Sequence, residues 1–158
     1  MSGTGSNIYT ANVARCWKAD GHDVLVVCQE PHPERFDFVD ASGNWPEEDG
    51  KDVLGAASSD PDGGSCVVVV PDIGDLLPVY VLDAYEGIEA KRFTDLTDDE
   101  LNLYTSANVE ALATMIEAFE PEAIITGHEV MGPHIARLAC QPTGMEYVAK
   151  LHGSALEY

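Results

Sequence analysis

Gly21-His22-Asp23-Val24-Leu25-Val26-Val27-Cys28 decides the fold class. Its last five residues are an unbroken apolar run. A strand covered on both faces reads that way, whereas a strand with one wet face alternates. Ahead of it, Ile8 to Ala19 predicts a helix, with Tyr9, Val13, Cys16 and Trp17 on one apolar face and Ser6 or Asn7 as the N-cap. Gly21 then supplies the glycine that commonly follows a helix C-terminus. Helix, glycine turn and buried strand make half of a βαβ unit, and no strand-like stretch stands ahead of the helix to open it.

The same grammar repeats along the chain. Cys66-Val67-Val68-Val69-Val70 and Pro78-Val79-Tyr80-Val81-Leu82 read as further buried strands, the second closed by Asp83. Residues 31–64 are polar and rich in Asp, Gly, Pro and Ser, so they read as a long surface excursion. Tyr85 to Leu96 reads as an irregular acidic connection. Thr97-Asp98-Asp99-Glu100 is a capping box that opens the longest helix, ending near Phe119. Leu101, Tyr104, Leu112, Met115, Ile116 and Phe119 form its buried stripe. Ala123-Ile124-Ile125-Thr126 is a short strand, Pro133 starts a helix that runs to Cys140, and Tyr147 to Leu151 is a final buried strand. Strands alternating with helices predict one domain over residues 1–158: an α/β, Rossmann-like parallel sheet with helices on both faces.

Charge narrows the partners. Twenty-eight acids against eight bases leave −20, a surface that repels phosphate backbones and anionic lipid. Nucleic acid is therefore excluded as a partner, and such an acid excess also suits a salt-rich habitat. Cys16, Cys28, Cys66 and Cys140 are scattered with no C-x-x-C pair, and Cys16 and Cys28 sit in apolar stretches. Buried free thiols are the expectation. With no leader-like opening and no run of 18 apolar residues, the default location is cytoplasmic.

Three loops carry candidate chemistry. Gly3-Thr4-Gly5-Ser6-Asn7 precedes a helix, where backbone amides bind anions and glycine allows close approach. It reads either as a phosphate-facing loop or as a flexible or expression-derived terminus. Gly127-His128-Glu129-Val130-Met131-Gly132-Pro133-His134 breaks the H-E-x-x-H zinc pattern, since Gly132 stands where the second histidine belongs. No metal is expected there; it is a polar loop at a strand end that lines a cleft, or a plain turn. In Leu151-His152-Gly153-Ser154, a strand-end histidine suits hydrogen bonding to a hydroxyl or proton transfer, and is otherwise structural. Ser154 does not fit the G-x-S-x-G hydrolase elbow. Glu47-Glu48-Asp49, Asp60-Pro61-Asp62, His22 and His32 read as solvated surface.

Taken together and in this order, the three loops resemble the N-terminal half of a GT-B-type retaining glycosyltransferase of family 4. Ala19-Asp20-Gly21-His22-Asp23-Val24 is similar to that family's turn into its second strand. Thr126-Gly127-His128-Glu129 resembles its acceptor loop, and Lys150-Leu151-His152-Gly153-Ser154 its later strand end.

The resemblance implies that Gly3, Gly5 and Ser6 face the donor diphosphate. It implies that His152, the catalytic candidate, and Gly153 contact the transferred sugar, and that His128 and Glu129 shape the acceptor side. The nucleotide-sugar is then a co-substrate, with no further cofactor and no metal. The family's first strand and its C-terminal nucleotide-sugar domain have no counterpart in this sequence, so the chain alone is expected to be inactive. Two other readings stand beside this one: a stand-alone Rossmann-like module that binds a small molecule or protein without catalysis, and a nucleotide-binding enzyme or hydrolase using His128 and His152. A sheet short of a strand exposes an edge or slot, and the expectation is either a homo-oligomer formed through it or a slot filled by the chain's own terminus.

Overall fold

The valine run Cys66–Pro71 lies at the middle of a three-stranded parallel sheet, and its residues 66 to 69 are almost wholly out of solvent. The computed structural model describes residues 5–56, 64–79, 89–127 and 131–151. In chain order the elements are α1 (Gly5–Ala19), β1 (Val24–Val27), β2 (Ala41–Trp45), α2 (Glu48–Ala56), β3 (Cys66–Pro71), β4 (Leu76–Val79), β5 (Glu89–Arg92), α3 (Asp98–Phe119), β6 (Ile124–Gly127), α4 (Gly132–Cys140) and β7 (Tyr147–Lys150). Short 3-10 turns occupy Pro33–Arg35 and Phe93–Asp95.

The β3 side chains divide the core by strand alternation. Cys66 and Val68 face α1, packing with Ala11, Ala14, Val24, Val26 and Phe38. Val67 and Val69 face the other way, onto Val53 and Leu54 of α2 and Ala111 and Met115 of α3. Helices therefore cover both faces of an α/β parallel sheet. Each fully buried valine contributes about 1.5–3 kcal/mol, so this strand anchors the domain.

The turn joining α1 to β1 is a Schellman motif, in which Gly21 N–H donates to Lys18 O and His22 N–H to Trp17 O. Gly21 has φ +89°, a conformation that favours glycine. At the start of α3, Thr97 and Glu100 exchange both capping-box hydrogen bonds, as the sequence indicates.

Several expectations need correction. The α/β parallel architecture stands, and among the described residues its hydrogen-bonded ladders fall in three parallel pieces, ordered β1-β3-β2, β4-β5 and β6-β7. Residues 31–64 are not a plain excursion, since β2 and α2 lie within them. Glycine makes this possible: a Cβ on Gly43 would sit 2.7 Å from Asp49 backbone atoms, and one on Gly50 would collide with Asn44 O. The supposed irregular connection before α3 contains β5, which pairs with β4.

The helix α1 begins at Gly5, not at Ile8, so Ser6 and Asn7 lie within its first turn. Its apolar stripe is also turned outward. Ala11 and Ala14 make the buried contact, while Tyr9, Cys16 and Trp17 are exposed, because small side chains let the helix lie close on the sheet. Cys16 is thus an exposed thiol, against expectation; Cys28 is half-buried, and Cys66 and Cys140 are buried. The strand β7 is not buried either, with Val148 61% exposed. Tyr80–Leu82 of the predicted strand lie outside the described residues, as do Asp60–Asp62.

Candidate functional site at the strand ends

The C-terminal ends of parallel strands gather at one rim, and ligands of open α/β sheets bind there. At the opposite rim, Lys18 near the end of α1 donates to Phe38 O and Asp40, just ahead of β2. Because α1 closes at that rim and packs along β1, its N-terminus must lie at the rim where the strands finish. A second contact agrees: Lys150, the last residue of β7, holds its ammonium 5.0 Å from the centre of the Tyr9 ring, in the second turn of α1. The opening turns of α1 and the end of β7 share one rim.

Of the residues singled out by sequence, Gly5 is exposed at the start of α1 and Ser6 lies in the same turn. Gly3, His128, Glu129, His152 and Gly153 lie outside the described residues. Their stems are described. Gly127 closes β6 and Met131 precedes α4 with φ 60°. A Cβ on Gly132 would lie 2.6 Å from Gly127 O and would strike the Thr126 hydroxyl, so glycine is needed where the two stems touch. The stems on either side of residues 128–130, Gly127 and Gly132, are therefore in contact. His152 follows two residues after Lys150.

Sequence reasoning missed Tyr9 and Lys150 as a pair, and nothing local joins them, since the contact is made only by folding. Gln29 was also missed; its Nε2 donates to Pro71 O at 2.7 Å and ties the ends of β1 and β3. Next to it, Glu30 is only 6% exposed, and its Oε1 accepts from His32 N–H. A buried carboxylate at a strand end is a candidate polar contact for a ligand.

Elsewhere, an open depression of about 500 Å³ is lined by Arg15, Lys18, Asp37 and Phe38. It sits at the wrong rim, and its cations are already engaged: Arg15 pairs with Asp37 at 2.6 Å, and Lys18 pairs with Asp40. Burial pushes the Asp40 carboxyl up, but the Lys18 hydrogen bond, the Cys66 N–H and the Lys18 charge together bring it below the ordinary value. Burial raises the Cys66 thiol to about 11 and lifts those of Cys28 and Cys140, so none of these three is a ready thiolate. Among the described residues, no cluster of three or more His, Cys, Asp or Glu could hold a metal. No helix among them is long and apolar enough to cross a membrane.

No curated protein and no solved structure gives a significant match to the chain. The profile of the Glycosyl transferase 4-like domain does match, over residues 4–158. That span contains every element described above and both stems of the candidate loops. With nearly the whole chain inside the match, the chain belongs to the glycosyl transferase 4-like domain family.

Proposed function

We propose that this chain forms the acceptor side of a retaining glycosyltransferase, which moves a sugar from a nucleotide-sugar to an acceptor hydroxyl. Family membership carries glycosyl transfer in general. The observation that supports the finer reading is the shared rim, where the first turns of α1 and the end of β7 meet through Tyr9 and Lys150. Gly5 and the α1 amides then face the donor diphosphate, as does Gly3. His152 and Gly153 reach the transferred sugar, and His128 and Glu129 orient the acceptor.

The chain's cations point to a division of labour. Of its eight bases, Arg15, Lys18, Lys51, Lys91 and Arg92 pair with carboxylates, and Lys150 lies on Tyr9. A dianionic donor needs more positive charge than this rim offers, so a separate nucleotide-gripping unit completes the enzyme. The same scarcity of cations favours one alternative, a module that binds a saccharide without catalysis.

Ligand-observed NMR with free saccharides and with UDP- and GDP-sugars tests the reading. Saccharide contact without measurable nucleotide affinity is the expected result. Turnover of any nucleotide-sugar by the purified chain alone overturns the acceptor-side assignment. A saccharide signal that survives removal of the His128 and His152 imidazoles, or no saccharide signal at all, removes the proposed site.

A further inference from the structure

Cations are scarce in this chain, eight against 28 acids, and most are neutralised by carboxylates. Arg15, Lys18, Lys51, Lys91 and Arg92 each pair with one. Lys150 does not: among the described residues its contact is the Tyr9 ring, whose centre lies 5.0 Å from the ammonium. An aromatic face attracts a cation without offering an acceptor lone pair. The ammonium is therefore held in position with N–H donors left for a ligand oxygen.

The ground beside Lys150 is open on the β6 side. Its register partner there is Gly127. Register partners in a sheet send their side chains to the same face, about 4.8 Å apart, and here the partner has no side chain to send. A Cβ on Gly127 would meet nothing within 4 Å. The neighbours on that face, Ile125 and Val148, are apolar, so neither competes for the ammonium. Gly127 also leads directly into His128 and Glu129, the residues assigned above to the acceptor.

We propose that Lys150 reads charge at this rim, binding one oxyanion, a carboxylate or a phosphate monoester, carried by the acceptor saccharide. The inference rests on the acceptor-side reading above and deepens it, by making the acceptor an anionic saccharide. One ammonium matches one oxyanion, whereas a diphosphate asks for several cations. Placement agrees, since Lys150 stands in register with the glycine from which the acceptor residues follow. The net charge of −20 repels anions at long range, but at about 0.15 M salt that field fades within about 8 Å. Inside that distance a charge-assisted hydrogen bond decides.

The probes are matched sets built on glucose, galactose and mannose, each as the neutral methyl glycoside, the uronate and the 6-phosphate. UDP-glucose, acetate and inorganic phosphate accompany them. The whole chain is titrated at about 0.15 M salt while the NMR signal of the Lys150 Cε methylene is followed. In at least one set an anionic member is expected to bind about tenfold tighter than its neutral counterpart and to shift that signal, as a single charge-assisted hydrogen bond allows. Which member does so tells carboxylate from phosphate. Lys150→Gln should bring the two to equal affinity, and Lys150→Arg should keep the preference. The Lys150 side chain is not buried, so both variants should fold. Arg137→Gln makes the same change in net charge as Lys150→Gln. It lies in the last turn of α4, whose first turn is the one that touches Gly127, so it is at the opposite rim and should leave the preference intact.

Equal binding of neutral and anionic members overturns the inference and leaves the acceptor-side reading standing. So does a preference that Arg137→Gln weakens as much as Lys150→Gln, since it then comes from the overall field. Acetate or phosphate bound as tightly as the saccharides that carry those groups also overturns it, because Lys150 then takes any anion. UDP-glucose bound through Lys150 gives the charge to the donor and removes both the inference and the acceptor-side reading. Binding by no member of any set removes both as well.

Discussion

The β1-β3-β2 sheet and the β6-β7 pair are written in similar residues yet have opposite surroundings. Cys66, Val67, Val68 and Val69 are at most 2% exposed, whereas Ile125 and Val148 are half in water. Both pieces are parallel, and both carry a helix on one side. The difference is the second cover: α1 lies across the first piece, but only its opening turns reach the second, through Tyr9 and Lys150. A strand's apolar run records what it is suited to touch, and its neighbours decide whether it does.

The sharpest way to break this comparison is to place the same charge in both pieces. Val68→Asp puts a carboxylate at a fully buried site with no partner and should cost more than about 4 kcal/mol, enough to unfold the chain in urea titration. Val148→Asp should change stability by less than about 0.5 kcal/mol. Equal losses at the two positions would mean that β7 is covered after all.

Glycines give a second contrast. Gly50→Ala forces a methyl onto the Asn44 carbonyl and should cost about 3 kcal/mol, read from the same titrations. Around a Cβ on Gly127 there is open space, so Gly127→Ala should be neutral or stabilise by about 0.5 kcal/mol.

The smallest effect concerns α3, which serves both pieces. Hydrogen bonds from Lys91, then from the Thr97 N–H and hydroxyl, hold Glu100 down to about 2. A carboxyl lowered on folding stabilises above its ordinary value of 4.5, and that contribution fades as pH falls through about 2. Wild type should therefore exceed Glu100→Gln in denaturation midpoint at neutral pH by a small margin that disappears near pH 2. The Glu100 carboxyl carbon should titrate with its midpoint near 2 as well.

Much of this architecture was legible. The β1 and β3 runs, the Thr97 cap, the end of α3 at Phe119 and the proline start of α4 all follow from local chemistry. Ala41-Ser42-Gly43-Asn44-Trp45 was not legible, because it lacks β-branched residues. It becomes a strand through its ladder to β3, and through glycines that admit α2. The outward turn of α1 was hidden for a related reason: a stripe of Tyr9, Cys16 and Trp17 looks like a buried face, but the alanines make the closer contact. The site was legible as an order of loops. Its contact between Tyr9 and Lys150 was not, since no local pattern encodes a pairing made across the fold.

The distribution of thiols has a practical consequence. Cys66 and Cys140 are shielded and poorly ionised, and Cys28 is partly so, while Cys16 stands in solvent on the open side of α1. A maleimide dye or spin label added to the folded protein will therefore attach first at one place, without engineering. That place is on the exposed face of α1, so the native chain comes with a reporter that brightens, dims or slows when something settles next to that helix.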